Sequence, residues 1–339
     1  MTVTLNAGFD PGSVGPASDV ALAFHRGLHG YAPTPLRPAS RLAAEFGFER
    51  FEVKDETNRL GLPAFKALGA SWAIERALVL EPMARTLVAA SAGNHGRAVA
   101  HFAAQRGLAC RVYLPRRSNP ARRDAIRGEG AEVVVVDGDY EEAVGRAAAD
   151  GTERGCVEIA DVGGSQPARD VIDGYATLFA ELGEQLEPPL DVLLVPVGVG
   201  SLAAAAVRWA IPHNTHVIAV EPAGAACLAA ALEHGAPVRI ETPGTTMAGM
   251  DCAEVSAAAW PDLRAGISAA VAVDDDELAA AAERLRTIGI EPGECAAAAL
   301  AAARAVSSNA AAPMQMALSL PGAARVVALA TEGPTGGRV

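Results

Sequence analysis

Lysine is almost absent from this 339-residue chain. Of its 28 basic residues 26 are arginine, so Lys54 and Lys66 carry the only side-chain primary amines. Aromatic residues are sparse at 4%, and no uninterrupted apolar run approaches a membrane span, because the long alanine stretches are broken by Arg, Glu or Gly. The formal net charge is −12, which argues against a surface that tracks nucleic-acid phosphates. The five cysteines (Cys110, Cys156, Cys227, Cys252 and Cys295) are scattered, odd in number and without a CxxC pair. That spacing supports neither a disulfide framework nor a zinc site and suits reduced thiols in a cytoplasm. Met1–Asp10 also lacks the basic-then-apolar layout of a secretory signal.

The shortage of lysine is informative in itself. Where arginine supplies nearly every cation, a retained lysine points to chemistry that guanidinium cannot perform. Only a primary amine forms a Schiff base, and only lysine readily gives up its proton near neutrality when desolvated. Two ordinary surface ammonium groups would satisfy the composition equally well.

What the chain does contain is a large apolar fraction, 50%, punctuated by 34 Gly and 22 Pro. This is ample for two soluble domains. Short β-branched runs alternate with alanine-rich segments of helical character. The expected strands are Phe51–Val53, Thr86–Ala90, Cys110–Leu114, Glu132–Asp137, Val157–Ile159, Asp191–Val197, His216–Glu221, Ala270–Val273 and Arg325–Ala330. Helices are expected between them, among them Phe65–Leu80, His95–Arg106, Pro167–Leu182, Ser201–Ala210 and Cys295–Ser307. Near-continuous apolar strands alternating with helices predict an α/β fold of mostly parallel twisted sheets covered by helices. The Leu186-Glu-Pro-Pro-Leu190 stretch is a natural crossing between domains. In such sheets ligands bind beyond the C-terminal strand ends.

Four motifs fall at those ends. Lys66 follows Phe65 at an expected helix start, where the helix dipole and apolar neighbours both disfavour the ammonium form. Ser91-Ala-Gly-Asn-His-Gly96 joins a strand to a helix and offers unpaired amides to an anion, although an N-cap turn would look the same. Gly198-Val-Gly-Ser201 after another strand is shaped to cradle a phosphate. With Ala203 and a strand ending at Glu221 it also matches a dinucleotide fingerprint, which keeps an NAD(P)-dependent oxidoreductase as a remote alternative. That loop normally follows a domain's first strand, whereas here it comes late, and an oxidoreductase leaves Lys66 unexplained. Thr331 ends the last apolar strand.

Taken in order, these pieces resemble the fold-type II pyridoxal 5′-phosphate (PLP) enzymes, the tryptophan synthase β and threonine dehydratase group. Within it the likeness is greatest to the diaminopropionate ammonia-lyases. It is carried by Phe24-His-Arg-Gly-Leu-His-Gly-Tyr-Ala-Pro-Thr-Pro-Leu36, Val53-Lys-Asp-Glu-Thr-Asn-Arg59, Ala64-Phe-Lys-Ala-Leu-Gly69, Gly93-Asn-His-Gly-Arg97, Val197-Gly-Val-Gly200, Thr246-Met-Ala-Gly-Met-Asp-Cys252 and Thr331-Glu-Gly333. The resemblance implies a large phosphate-binding domain from residues 1–65 and 186–339, and a small domain, 66–185, for the substrate carboxylate. It implies that Lys66 holds PLP as an internal Schiff base and shuttles protons, and that Gly198, Val199, Gly200 and Ser201 bind its phosphate. Asn94 would hydrogen-bond the cofactor's phenolic oxygen and Thr331 would sit by its ring nitrogen. Ser91, Gly93 and His95 would line the substrate-carboxylate pocket. Asp161 matches a family carboxylate that handles protons, and Glu294 one near the cofactor.

The implied reaction is α,β-elimination from a β-substituted amino acid, with 2,3-diaminopropionate giving pyruvate and ammonia in a cytoplasmic homodimer. A serine/threonine dehydratase-like or β-replacement PLP enzyme is the alternative. Two departures stand out. Ala92 occupies the place of a family Asp implicated in handling the D-substrate, which favours the L-isomer. Val162–Asp173 is shorter than in the family and lacks its aromatic residues.

Overall fold

The computed structural model describes residues 2–91 and 93–334. Among the described residues, eleven strands form two sheets. They are β1 (Thr2–Leu5), β2 (Leu36–Pro38), β3 (Arg50–Asp55), β4 (Thr86–Ala90), β5 (Ala109–Pro115), β6 (Glu132–Val136), β7 (Cys156–Glu158), β8 (Val192–Pro196), β9 (His216–Pro222), β10 (Ile267–Val273) and β11 (Arg325–Ala330). The larger sheet has the order β1-β10-β9-β8-β11-β3-β2 and the smaller β6-β5-β4-β7. Every pairing is parallel except the two at the edges of the larger sheet, β1 with β10 and β2 with β3.

Both faces of the central strands are buried, which is why they read as unbroken apolar runs rather than alternating ones. Along β8, Leu193 and Val195 join a core lying between the sheets, while Val192 and Leu194 point into a second core on the opposite face. In β4, Leu87 and Ala89 enter the shared core and Val88 and Ala90 a small third one. The shared core thus joins the two sheets.

The expected strands all form, as do the helices Lys66–Leu80, Asn94–Gln105, Gln166–Gln185, Ser201–Ala210 and Glu294–Val306. The elements not anticipated are short or peripheral: β1, β2 and the helices Val20–Arg26, Ser40–Phe46, Cys227–His234, Trp260–Gly266 and Ala312–Ala317. No residue of β1 is buried, so it carries no core periodicity to read.

Two buried polar clusters fix the helices beside the site. His25 on Val20–Arg26 donates from Nε2 to Leu68 O at 3.1 Å and accepts at Nδ1 from Thr177 Oγ1 at 2.7 Å, tying three helices together. Lys54, fully buried on β3, reaches Thr34 O at 2.8 Å, Glu181 Oε2 at 2.9 Å and Gln185 Oε1 at 2.9 Å. Arg59 bridges Glu56 and Glu181, with closest contacts of 2.6 Å to each. Two cations and two carboxylates therefore close a neutral buried set that binds Gln166–Gln185 to β3. One of the two lysines is structural.

Removing one charge from that set leaves Glu181 undercompensated in the interior. Lys54→Met is expected to cost about 3–5 kcal/mol of unfolding free energy in urea titrations. His25 gives a pH signature. Burial depresses its pKa from 6.5 to about 4, so the folded chain resists a proton that the unfolded chain accepts. Stability should therefore fall as pH drops from 6.5 toward 4, by roughly 3 kcal/mol over the window. Denaturation at pH 7 and pH 5 should show this slope, and His25→Gln should flatten it.

Candidate active site

The chain after β3 is stitched across the end of β11. Glu56 N donates to Ala330 O at 2.9 Å, Phe65 N to Thr331 O at 3.2 Å, and Gly333 N to Pro63 O at 2.9 Å. These bonds fix the residue that follows, Lys66, as the first residue of its helix beside Thr331. The Thr331 hydroxyl is buried without a hydrogen-bond partner among the described residues.

Next along the sheet, β8 runs into Val197–Gly200 and the helix Ser201–Ala210. Gly200 has φ +94°, and a Cβ there would lie 2.4 Å from Leu263 Cδ1; one on Gly198 would lie 2.9 Å from Gly249 O. The loop is glycine because its backbone is both left-handed and pressed against its neighbours. It opens a ten-residue helix, whose first N–H groups have no partner within the helix. Ser201 Oγ donates to Asp161 O at 3.3 Å.

The smaller sheet faces this cradle. Beyond β4, Gly93 N donates to Ser91 Oγ at 3.3 Å and the helix Asn94–Gln105 begins. Ala92 lies outside the described residues. Asn94 Nδ2 donates to Glu332 Oε2. His95 is buried, with Nε2 at 2.7 Å from Ile159 O and Nδ1 at 3.8 Å from Asp161 Oδ2. Past β7, the same Asp161 Oδ2 accepts from Lys66 Nζ at 2.9 Å. The strand ends of both sheets thus bring Lys66, Asn94, His95, Asp161, Ser201 and Thr331 together.

The charge state of Lys66 departs from the expectation. Burial does push its pKa down, but the Asp161 carboxylate outweighs this and raises it. Asp161 in turn, raised by burial, is pulled down to about 2 by the charge of a protonated His95 and by Lys66. The helix-start setting alone suggested a free amine; the contact that decides is with a carboxylate 95 residues away in sequence.

Sequence reasoning passed over several residues here. Tyr175 is fully buried, with its ring 4.8 Å from Phe65 and 5.8 Å from Lys66 Nζ. Gly69 and Gly174 make room for it. A Cβ on Gly69 would meet Tyr175 Cε1 at 2.6 Å, and one on Gly174 would meet Gly69 Cα at 2.8 Å. A glycine three residues after Lys66, on the same helix, was the available signal. Glu332 is buried beside Cys295 and Asn94, its pKa raised by burial. Glu294, which the resemblance matches to a family carboxylate near the cofactor, opens its helix within electrostatic reach of Glu332. Tyr140 donates to Ala90 O at 3.3 Å and, with Cys252, lies within electrostatic reach of Asp161 and Lys66. Glu221, the carboxylate of the dinucleotide alternative, instead caps a helix by accepting from Leu228 N at 2.7 Å and Ala229 N at 2.9 Å.

A lysine opposite a glycine-lined anion cradle, with an unpartnered hydroxyl at the neighbouring strand end, defines a site for a phosphorylated aldehyde. These features fit PLP: an amine for the carbonyl, amides for the phosphate and Thr331 Oγ1 for the ring nitrogen. The family model described as pyridoxal-phosphate dependent enzyme matches residues 28–332, and the chain belongs to that family, whose cofactor is PLP. It is 34% identical over 289 residues to the diaminopropionate ammonia-lyase of Salmonella typhimurium, an alignment covering 75% of this chain and 72% of that one. It is 33% identical over 234 residues to a biosynthetic L-threonine dehydratase of Corynebacterium glutamicum, covering 67% of this chain and 52% of the relative. Among solved structures, diaminopropionate ammonia-lyase from Escherichia coli in complex with an aminoacrylate-PLP azomethine reaction intermediate superposes with a TM-score of 0.89. That match has 30% identity and covers 98% of this chain and 94% of the other.

The glycine pair carries a prediction. Gly69→Ala drives a methyl into Tyr175 and should destabilise the chain by about 1–3 kcal/mol while shifting Lys66. Urea unfolding reads the first effect, and slowed development of the cofactor's visible absorbance reads the second.

Proposed function

We propose that the chain is an ammonia-lyase that removes ammonia by α,β-elimination from 2,3-diaminopropionate, the L-isomer favoured, leaving pyruvate after hydrolysis. The observation that carries this reading is the Lys66–Asp161 contact at 2.9 Å, set between the Gly198–Ser201 cradle and Thr331.

Lys66 would hold the cofactor. Gly198, Val199, Gly200 and Ser201 would bind its phosphate, Asn94 its phenolic oxygen and Thr331 its ring nitrogen. When bound, PLP supplies an electron sink that lowers the cost of removing the α-proton. Lys66, once its amine is free, takes that proton as general base. Ser91 and the main-chain N–H groups of Gly93 and His95 would hold the substrate carboxylate at the start of Asn94–Gln105. Asp161 stays ionised in its buried setting, which suits it to receive the second ammonium group of diaminopropionate, the group that leaves. This complementarity favours a diamino acid over serine or threonine. The threonine dehydratase relative keeps hydroxyl-bearing substrates as the alternative. Residues 1–65 with 186–339 would form the phosphate-binding domain and 66–185 the substrate domain. A homodimer in the cytoplasm completes the reading, with sedimentation velocity testing its stoichiometry.

The purified protein should be yellow, with a band that borohydride bleaches and that Lys66→Ala lacks. Keto acid should be released from L-diaminopropionate faster than from the D-isomer, serine or threonine. Keto-acid release from serine or threonine alone, or D-isomer turnover matching the L-isomer, contradicts the substrate assignment.

A further inference from the structure

The site contains a conflict. Asp161 holds Lys66 as an ammonium ion, yet an amine must lose its proton before it can attack an aldehyde or remove a proton from carbon. Releasing that proton to solvent would leave an uncompensated carboxylate in the interior, a costly arrangement. The partner needed is a second base touching the same carboxylate from its other side.

His95 has that geometry. Ile159 O can only accept a hydrogen bond, so at 2.7 Å it requires the proton to sit on His95 Nε2. In the neutral ring Nδ1 is then a bare lone pair. It is buried, has no hydrogen-bond partner among the described residues, and faces Asp161 Oδ2 at 3.8 Å. That distance is longer than a hydrogen bond, as expected for a lone pair opposite a carboxylate. Lys66 Nζ contacts the same oxygen at 2.9 Å.

We propose that His95 Nδ1 accepts the proton of Lys66 through Asp161 Oδ2. The N–H bond of the ammonium breaks as an O–H bond forms on Oδ2. That O–H bond breaks in turn as an N–H bond forms on Nδ1, and Asp161 is again a carboxylate. Before transfer the three groups carry +1, −1 and 0; afterwards they carry 0, −1 and +1. Lys66 becomes a free amine without changing the net charge of a buried site, and the new imidazolium stands where a lone pair was repelled. His95 is a positioning residue acting through Asp161, its main-chain N–H remaining available to substrate. The other titratable groups facing the trio are Tyr175, Tyr140 and Cys252, all raised by burial and therefore protonated at neutral pH.

This inference rests on Lys66 being the cofactor-bearing amine, and the experiment separates the two. In the cofactor-free chain, nitrogen NMR of labelled histidine should show His95 as the neutral Nε2–H tautomer at pH 7. In Lys66→Met, where Asp161 has lost its ammonium, the His95 ring should titrate at least about one pH unit higher. Equal titration in both proteins overturns the relay. Capture of PLP by the cofactor-free chain, trapped with borohydride and located by peptide mass, gives the second readout. His95→Asn should capture about tenfold more slowly at pH 7 and regain the wild-type rate about one unit higher. An adduct on Lys66 with an unchanged pH profile overturns the relay alone, whereas an adduct elsewhere overturns the role of Lys66. Should His95→Asn not fold, the comparison of wild type with Lys66→Met decides by itself.

Discussion

Backbone contact between two helices underlies the rest of this site. Lys66–Leu80 and Gln166–Gln185 meet at Gly69 and Gly174, where a single methyl group on either would collide with its neighbour. So close a crossing brings the Tyr175 ring to the start of the Lys66 helix, 4.8 Å from the Phe65 ring and 5.8 Å from the amine. The position of Lys66 is then set from two directions, by this crossing and by the hydrogen bonds that tie Pro63–Phe65 to the end of β11. A lysine side chain has ample rotamer freedom; a helix start gripped on two sides removes much of it before any ligand arrives.

Electrostatics are organised on the same plan. Two separate groups of charge are buried, and each is neutral in sum. Lys54, Arg59, Glu56 and Glu181 form a neutral set with no spare valence, which suits a joint between β3 and a helix. Lys66, Asp161 and His95 are also neutral in sum but leave Nδ1 of the histidine unpaired. The first arrangement can only hold. The second has a place for a proton to go, and that difference separates a fastening from a reactive centre.

Much of this was legible in the sequence for a definite reason. Strands buried on both faces leave continuous apolar runs, and strand-to-helix turns that bind anions must place glycine where the backbone turns or is crowded. The limits of β4 and β11 and the Gly198–Ser201 loop could therefore be read directly. Asp161 emerged only through a resemblance, because a lone aspartate after a three-residue strand has no local signature. Tyr175 and Glu332 were invisible for a related reason: their importance lies in contacts across the fold. The same holds for the protonation of Lys66, where local context argued for a free amine and a distant carboxylate reversed it. Lys54 shows the converse, since composition made both lysines equally suggestive and only packing told them apart.

The scarcity of lysine has a consequence for the chemical ageing of this protein. With Lys54 sealed inside its ion cluster, a reactive aldehyde or isocyanate that seeks a lysine finds only the one at the active site. Damage of that kind cannot be diluted over a field of harmless surface amines. With PLP on Lys66 as proposed, occupancy by the cofactor would double as armour, and a chain that lost it would expose its one vulnerable lysine.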